Sequence, residues 1–264
     1  SSASLIKRFE KTDLKVISSL VDITNFITVD FCRPLHVFDY DKIQGDLIIR
    51  HSKKGEKFLG LDDENYQLDD GMIVICDDSG VISLAGILGG KRTACDHKTK
   101  NVLVESAYFL PASIIKSGRK LNIQSDARYR FERGIDPNSV EEGIEYASEM
   151  ILKICGGEPG SIVTDGQRID SNNNIKIDKT FFDKVLGIKI SNQFIRDKLN
   201  KIGCKFSGNE NLVVTPPTWR SDIKIKEDLV EEIARLYGLE RIPSIPFDLQ
   251  NNTNQKKTSN IQVL

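Results

Sequence analysis

The chain lacks a cysteine framework. Its five cysteines, Cys32, Cys76, Cys95, Cys155 and Cys204, are odd in number and no two form a C-x-x-C pair, which argues against a disulfide scaffold or a zinc site and suits a reducing compartment. It also lacks an excess of charge of either sign. With 37 basic against 38 acidic residues the net charge is −1, so any nucleic-acid contact must come from a local patch. No apolar run approaches the roughly 20 residues of a membrane-spanning helix, and no signal-peptide pattern opens the chain. A cytoplasmic protein with no membrane partner is therefore expected. What is present, 264 residues with 39% hydrophobic content, suffices for one or two globular domains. The chain begins with Ser and turns polar after Phe247, which reads as an excised part of a longer polypeptide.

Hydrophobic spacing predicts a helix over about 13–31, with Leu14, Ile17, Leu20, Val21, Thr24 and Ile27 near one face and Pro34 as the break. Short β-branched runs bounded by Asp and Gly predict strands at Leu47–Arg50, Met72–Cys76, Ile82–Gly86 and Val102–Ala107. A short helix is expected from Pro111. A longer one is expected from Pro137 to about Cys155, ended by Gly156 and Gly157. Residues 156–173 are rich in Gly, Ser, Asn and Asp and read as a crossing segment. Beyond it, Ile175 and Ile177 suggest a strand, Phe181–Leu186 a helix, and Ser191 the cap of another helix closed by Gly203. Strands near Lys205–Phe206 and Leu212–Thr215 precede an acidic helix. That order is winged-helix-like. Such shapes often bind DNA, but shape does not fix function, and no DNA partner is expected. The fold class is α+β: a mixed domain over 1–160, a linker over 161–173, a winged-helix-like domain over 174–247 and a polar tail over 248–264.

The most informative segment contains the single Trp: Pro216-Pro217-Thr218-Trp219-Arg220-Ser221-Asp222-Ile223, running on to Asp228-Leu229-Val230-Glu231-Glu232-Ile233-Ala234-Arg235-Leu236-Tyr237-Gly238. On a helix Asp228, Glu231 and Glu232 fall at i, i+3 and i+4, with Asp222 just before. Oxygen ligands in that number suit a hard cation such as Mg²⁺. Read from spacing alone, the same residues also suit a solvated acidic face supported by a Glu231–Arg235 pair.

In the first half, Val21-Asp22-Ile23-Thr24-Asn25 is followed by Arg33-Pro34-Leu35-His36-Val37-Phe38-Asp39. Then come Leu84-Ala85-Gly86-Ile87-Leu88-Gly89-Gly90 and Val104-Glu105-Ser106-Ala107-Tyr108-Phe109. The last is Ser125-Asp126-Ala127-Arg128-Tyr129-Arg130-Phe131-Glu132-Arg133-Gly134-Ile135-Asp136-Pro137. Each alone is weak. A lone His beside Pro is usually a packing residue, Thr24 and Asn25 suit a helix cap or a back-bonded pair, and a Glu inside a strand ordinarily faces solvent. Residues 86–90 lack the spacing of a nucleotide loop, so a tight turn or close backbone packing is the default. Residues 112–134 hold Lys116, Arg119, Lys120, Arg128, Arg130 and Arg133 against Asp126 and Glu132. That excess can steer a phosphate backbone, although the alternation of Arg128-Tyr129-Arg130-Phe131 favours a structural role for at least one of these arginines.

Taken in this order, both motif sets resemble the bacterial phenylalanyl-tRNA synthetase beta subunit. The second half matches its P-x-W-R-x-D-I and D-L-x-E-E-x-x-R-x-Y-G segments. The first half matches V-D-x-T-N, R/Q-P-x-H-x-F-D, A-G-x-x-G-G, x-E-S-A-x-F and S-x-A-x-Y-R-F-E-R-G-x-D-P. The resemblance covers nearly all of residues 13–247. It implies an editing domain that hydrolyses tyrosine misattached to tRNA(Phe), with Thr24, His36 and Glu105 in catalytic positions and Asn25, Ala85 and Gly86 binding substrate. It implies Mg²⁺ ligands at Asp222, Asp228, Glu231 and Glu232. It also implies an alpha subunit that completes an alpha2beta2 ligase using ATP, and tRNA(Phe) as partner. A non-catalytic tRNA-binding and assembly scaffold is the competing expectation. Lys15 and Ser18-Ser19 depart from the family's Arg and Asn-Asn, and Lys lacks the bidentate fork of Arg.

The expected chemistry can be argued physically. Tyrosine differs from phenylalanine by one hydroxyl. A buried acceptor rewards that hydroxyl and is left unpaired by phenylalanine, a discrimination that reaches roughly 10⁴-fold. Glu105 is the candidate acceptor. Thr24 and His36 would position the ester or a water, while Ala85 and Gly86 admit the backbone close to the aminoacyl group.

Overall fold

The computed structural model describes residues 3–12, 14–169, 173–178, 180–208 and 211–244. The polar tail expected at 248–264 lies outside them, as do residues 170–172 of the linker. Contacts divide the chain into two units, the first comprising residues 1–172 with 218–221 and the second 173–217 with 222–264.

The first unit opens with α1 (Ala3–Thr12) and α2 (Ser19–Asp30). The helix expected over 13–31 is therefore shorter at its start. Ser18 adopts an extended conformation and its Oγ accepts from the Val21 N–H, while Asp22 Oδ1 accepts from the Ile17 N–H at 2.8 Å. The first bond satisfies a first-turn donor, and the second ties the chain just before the cap back onto the helix, so that residues 14–18 stay outside it. Next come β1 (Leu35–Asp39), β2 (Ile48–His51), β3 (Lys57–Leu59), β4 (Asn65–Gln67), β5 (Ile73–Asp77), β6 (Gly80–Leu84), β7 (Leu88–Gly89) and β8 (Val102–Ser106). Three helices follow: α3 (Pro111–Leu121), α4 (Asp126–Phe131) and α5 (Ser139–Cys155).

Strands β2, β5, β6 and β7 form an antiparallel sheet in that order, β3 and β4 a hairpin, and β1 pairs antiparallel with β8. The β1–β8 ladder separates two cores. Because side chains alternate, Leu35 and Val104 face the helical core, where α1, α2 and α5 bury Leu5, Phe9, Ile23, Phe26, Ile27, Ala147 and Ile151. Phe38 and Leu103 face the larger core of the β2–β5–β6–β7 sheet, α3 and α4, which includes Val74, Ile82, Leu84, Phe109, Ile114 and Phe131. The expected strands thus exist, each within a residue or two of its boundaries. Strands β1, β3, β4 and β7 and helices α1 and α4 lie outside the expectations, being short or overlaid by Pro, Gly and charge.

The second unit contains β9 (Ile175–Asp178), α6 (Thr180–Leu186), α7 (Asn192–Lys201), β10 (Lys205–Ser207), β11 (Asn211–Thr215) and α8 (Lys226–Tyr237). Its sheet order is β10–β11–β9, all antiparallel. One apolar core joins Phe182, Ile195, Leu199, Val214, Leu229 and Ile233. Ser191 caps α7 through the Phe194 N–H, and Gly238 ends α8 at φ +105°, a conformation that glycine adopts without strain.

Candidate active site

The rung that matters lies in the β1–β8 ladder, where His36 stands directly opposite Glu105. Antiparallel partners share a face, at roughly 5 Å between Cβ atoms. This rung faces the sheet core, on the same side as Phe38, whose ring meets the imidazole edge-on at 4.3 Å. His36, Glu105 and Gly86 line one cleft of about 60 Å³, walled by Leu84, Leu88 and Phe131.

The cleft's floor is a turn between β6 and β7. Gly86 has φ +67°, and a Cβ there would lie 2.8 Å from Phe109 and 3.0 Å from Ile114, so conformation and packing both call for glycine. Any side chain at residue 89 would overlap the His36 imidazole. Ser125 Oγ donates to the Ile87 carbonyl at 2.6 Å and accepts from the Arg128 N–H. One hydroxyl thus ties the turn to the start of α4, the helix that supplies Ala127 and Phe131 to the wall.

Two ionisable groups meet apolar walls here, and their charged forms are disfavoured. Burial pushes the Glu105 carboxyl up to about 7. Burial pushes the His36 imidazole down to about 4, so it is neutral at physiological pH. His36 Nε2 is buried without a hydrogen-bond partner. A cleft holding an unpartnered imidazole nitrogen beside a carboxyl poised near neutrality can accept and hold protons of a bound hydroxyl or water.

The other expected site residues are placed differently. Ala85 is buried in the sheet core, immediately before Gly86, and does not line the cleft. Thr24 and Asn25 lie on α2, whose apolar residues pack with Leu35 and Val104 on the opposite face of the ladder. Thr24 Oγ1 donates back to the Val21 carbonyl at 2.9 Å, the back-bonded geometry of a helical Thr. Neither residue lines the cleft. Residues not anticipated include Ser83, Leu88, Ala127 and Phe131. Phe131 and Ala127 lay within a quoted motif, and Ser83 within an expected strand, but which strand residues face the cleft depends on register.

The basic stretch divides. Arg128 is buried; its NH1 donates to the Gly118 carbonyl and to the Ile123 carbonyl, and its Nε pairs with Glu132. Arg130 pairs with Asp126, and Arg133 pairs with Glu132 and stacks over Tyr129 at 3.6 Å. Lys116, Arg119 and Lys120 remain on the exposed face of α3, with Lys120 paired to Asp69 at 3.2 Å.

In the second unit α8 forms as expected but distributes its carboxylates. Asp228 Oδ2 accepts from the N–H groups of Lys224 and Ile225 at 2.7 and 2.9 Å, closing the helix start. Glu232 is buried and pairs with Arg235, the partner expected for Glu231; Glu231 is exposed. Successive helical residues are turned by about 100°, which sends these two glutamates to different environments. Among the described residues no group of three or more His, Cys, Asp or Glu side chains is placed to hold a metal ion. The side chains of Asp222, Asp228, Glu231 and Glu232 are accordingly not gathered into such a group among the described residues.

Comparison with known proteins gives these features a family. Residues 1–156 match the B3/4 domain and residues 175–239 match the tRNA synthetase B5 domain. The chain is 44% identical over 245 residues to the phenylalanine–tRNA ligase beta subunit of Nitrobacter winogradskyi, covering 92% of this chain and 30% of that one. It is 41% identical over 260 residues to the beta subunit of Bradyrhizobium diazoefficiens, covering 98% and 32%. The chain thus spans about a third of the length of these relatives. A solved N-terminal fragment of the phenylalanyl-tRNA synthetase beta subunit from Pyrococcus horikoshii aligns over 83% of this chain and 65% of that one, at TM-score 0.42 and 16% identity. The chain belongs to the B3/4 domain family, carries a tRNA synthetase B5 domain behind it, and is homologous to part of the phenylalanine–tRNA ligase beta subunits.

Proposed function

We propose that the first unit is an editing hydrolase within a phenylalanine–tRNA ligase beta subunit, removing tyrosine misattached to tRNA(Phe). The observation that supports this reading most strongly is the His36–Glu105 rung opening into a cleft with Gly86. Glu105, held near neutrality by burial, is the acceptor for the tyrosine hydroxyl in its ionised form, and phenylalanine leaves it unpaired. His36, neutral and with a free Nε2, orients the water that adds to the ester carbonyl; the ribose oxygen then departs with a proton. The glycine floor admits the aminoacyl backbone.

The test is hydrolysis of Tyr-tRNA(Phe) by the chain, with Phe-tRNA(Phe) as control and Glu105→Ala beside the native sequence. Selective deacylation, lost in the variant, supports the reading. Absence of hydrolysis with the chain folded overturns it for the chain by itself, and the same assay in the assembled ligase separates loss of tRNA presentation from loss of chemistry.

A second reading is favoured by the cleft's size. About 60 Å³ is well below the roughly 300 Å³ at which ligand pockets begin, so the walls must part to admit a tyrosyl side chain. In that reading the chain is a tRNA-binding and assembly scaffold for an alpha subunit. We place the whole enzyme in the cytoplasm as an alpha2beta2 ligase using ATP and Mg²⁺. A cation at Asp222, Asp228, Glu231 and Glu232 then requires the four carboxylates to be drawn together, a change we assign to the partner subunit.

A further inference from the structure

Among the described residues Arg33 is the largest fully buried side chain. A buried guanidinium is costly unless each N–H is met, and here its donors are spread over three segments. NH1 donates to the Ala107 carbonyl at 2.7 Å, just beyond the last rung of β8. Nε donates to Ser139 Oγ at 3.0 Å at the start of α5, and NH2 donates to the same hydroxyl and to the Asp136 carbonyl. Gly143 on α5 leaves room for the side chain, since a Cβ there would lie 2.8 Å from Arg33 Cγ.

The local sequence explains the need. Pro34 follows Arg33 and has no N–H, so at the step before Leu35↔Ser106 it cannot donate to β8. Ala107's carbonyl, at that step, takes the Arg33 guanidinium instead. A second tie runs alongside, where Ser106 Oγ donates to the Val140 carbonyl of α5 at 2.7 Å. The end of the ladder nearest His36 and Glu105 is thus pinned to one helix start, which adds to the register that the two buried faces already favour. A slip of two residues preserves the facing side chains and still removes Glu105 from opposite His36.

We infer that Arg33 is a positioning residue for the cleft: by joining β1, the end of β8 and the start of α5, it fixes the register that sets His36 opposite Glu105. The inference rests on the editing reading for its bearing on catalysis, but not for its geometry. Burial holds the Arg33 guanidinium down to about 10, with Asp136 opposing the shift, which is consistent with a desolvated charge kept for its donors.

The experiment uses the full chain, with Arg33→Met, Arg33→Gln and Ser139→Ala. Amide exchange is followed in β1 and β8, the His36 imidazole is titrated, and far-ultraviolet circular dichroism reports global folding. Expected are at least tenfold faster exchange in the two strands and a His36 midpoint raised by at least one unit in Arg33→Met. Arg33→Gln, which keeps a donor for Ala107, should recover part of both, and Ser139→Ala should fall between. If Arg33→Met does not fold, Ser139→Ala alone carries the test. Folded variants with unchanged strand exchange and an unchanged His36 midpoint overturn the inference. In Tyr-tRNA(Phe) hydrolysis the positioning role predicts a lowered kcat with little change in KM. A native chain without hydrolysis would defeat the editing reading while leaving the titration and exchange results to decide the role of Arg33.

Discussion

The two units treat charge in opposite ways. The first places Asp22, Arg33, Asp39, Asp77 and Arg128 among its buried residues, and lines its cleft with His36 and Glu105. The second builds a core from Ile, Leu, Val and Phe and, apart from the buried Glu232, keeps its carboxylates at helix ends and exposed faces. Apolar packing tolerates exchange among side chains of similar volume, whereas a buried ion needs named partners at fixed positions. The first unit is therefore the part whose buried ions need named partners at fixed positions, and the second is the part held mainly by apolar packing.

The sharpest way to break that contrast is through Arg128. Replacing it with Met removes donors from the Gly118 and Ile123 carbonyls and leaves Glu132 with Arg133 alone. Leaving two buried carbonyls without their donor costs roughly 1–3 kcal/mol each. Gly118→Ala should act similarly, because a Cβ at that position overlaps the guanidinium. Both variants should lower the denaturant midpoint of the first unit and leave that of the second unchanged, which residue-resolved exchange would read. Equal loss in both units would show that they unfold as one.

Next in size is Glu105. In Glu105→Gln the amide can still meet a phenol but no longer as a charged acceptor, and the ratio of tyrosyl to phenylalanyl ester hydrolysis should fall by about 100-fold or more. The same variant gives a pH test. The folded carboxyl titrates at about 7, against 4.5 for a free one. Its relative stabilisation is complete below about 4.5 and is lost as pH rises through about 7; above that the buried charge opposes folding. The native chain should lose on the order of 1–3 kcal/mol relative to Glu105→Gln between those limits. His36, shifted down to about 4, has the opposite dependence: its contribution is present above about 6.5 and lost as pH falls through 4. A native chain and a Glu105→Gln variant with parallel stability profiles would sink the assignment of a buried carboxyl.

Much of the contrast was legible in the sequence, and the reasons for the rest are physical. Periodicity located α5, α7 and α8 because each buries one stripe, and β-branched runs located β5, β6 and β8 because each has a face in a core. The Gly-rich stretch at 86–90 reads as a tight turn or close backbone packing, and Gly86 shows both, with Gly89 packed against His36. The start of α2 was missed because the Ser18 cap and the Asp22 side chain outweighed an apolar periodicity continuing back to Leu14. β1 was missed because Pro34 and His36 obscure a five-residue strand that exists by pairing with β8. The site followed the same division. His36, Gly86 and Glu105 were picked out by motif and converge, but convergence depends on ladder register, a long-range property with no local signature. Thr24, Asn25 and Ala85 were picked out by the same motifs and stand outside the cleft, since neighbouring residues on a helix or strand face different ways.

The smallest expected effect tests the second unit on its own terms. Asp228 is a helix-capping carboxylate here, accepting two backbone N–H groups at the start of α8. Asp228→Asn keeps an acceptor and should be nearly neutral, whereas Asp228→Ala should cost about 1 kcal/mol. Glu231→Ala, at an exposed position, should change stability by less than about 0.5 kcal/mol. Millimolar Mg²⁺ should leave the thermal midpoint of the chain unchanged, because among the described residues these carboxylates are not gathered to hold a cation. A Mg²⁺-dependent rise in midpoint that Asp228→Ala abolishes would reverse this reading. It would show that α8 can assemble its carboxylates without a partner, and the second unit would then hold a specified ionic site of its own.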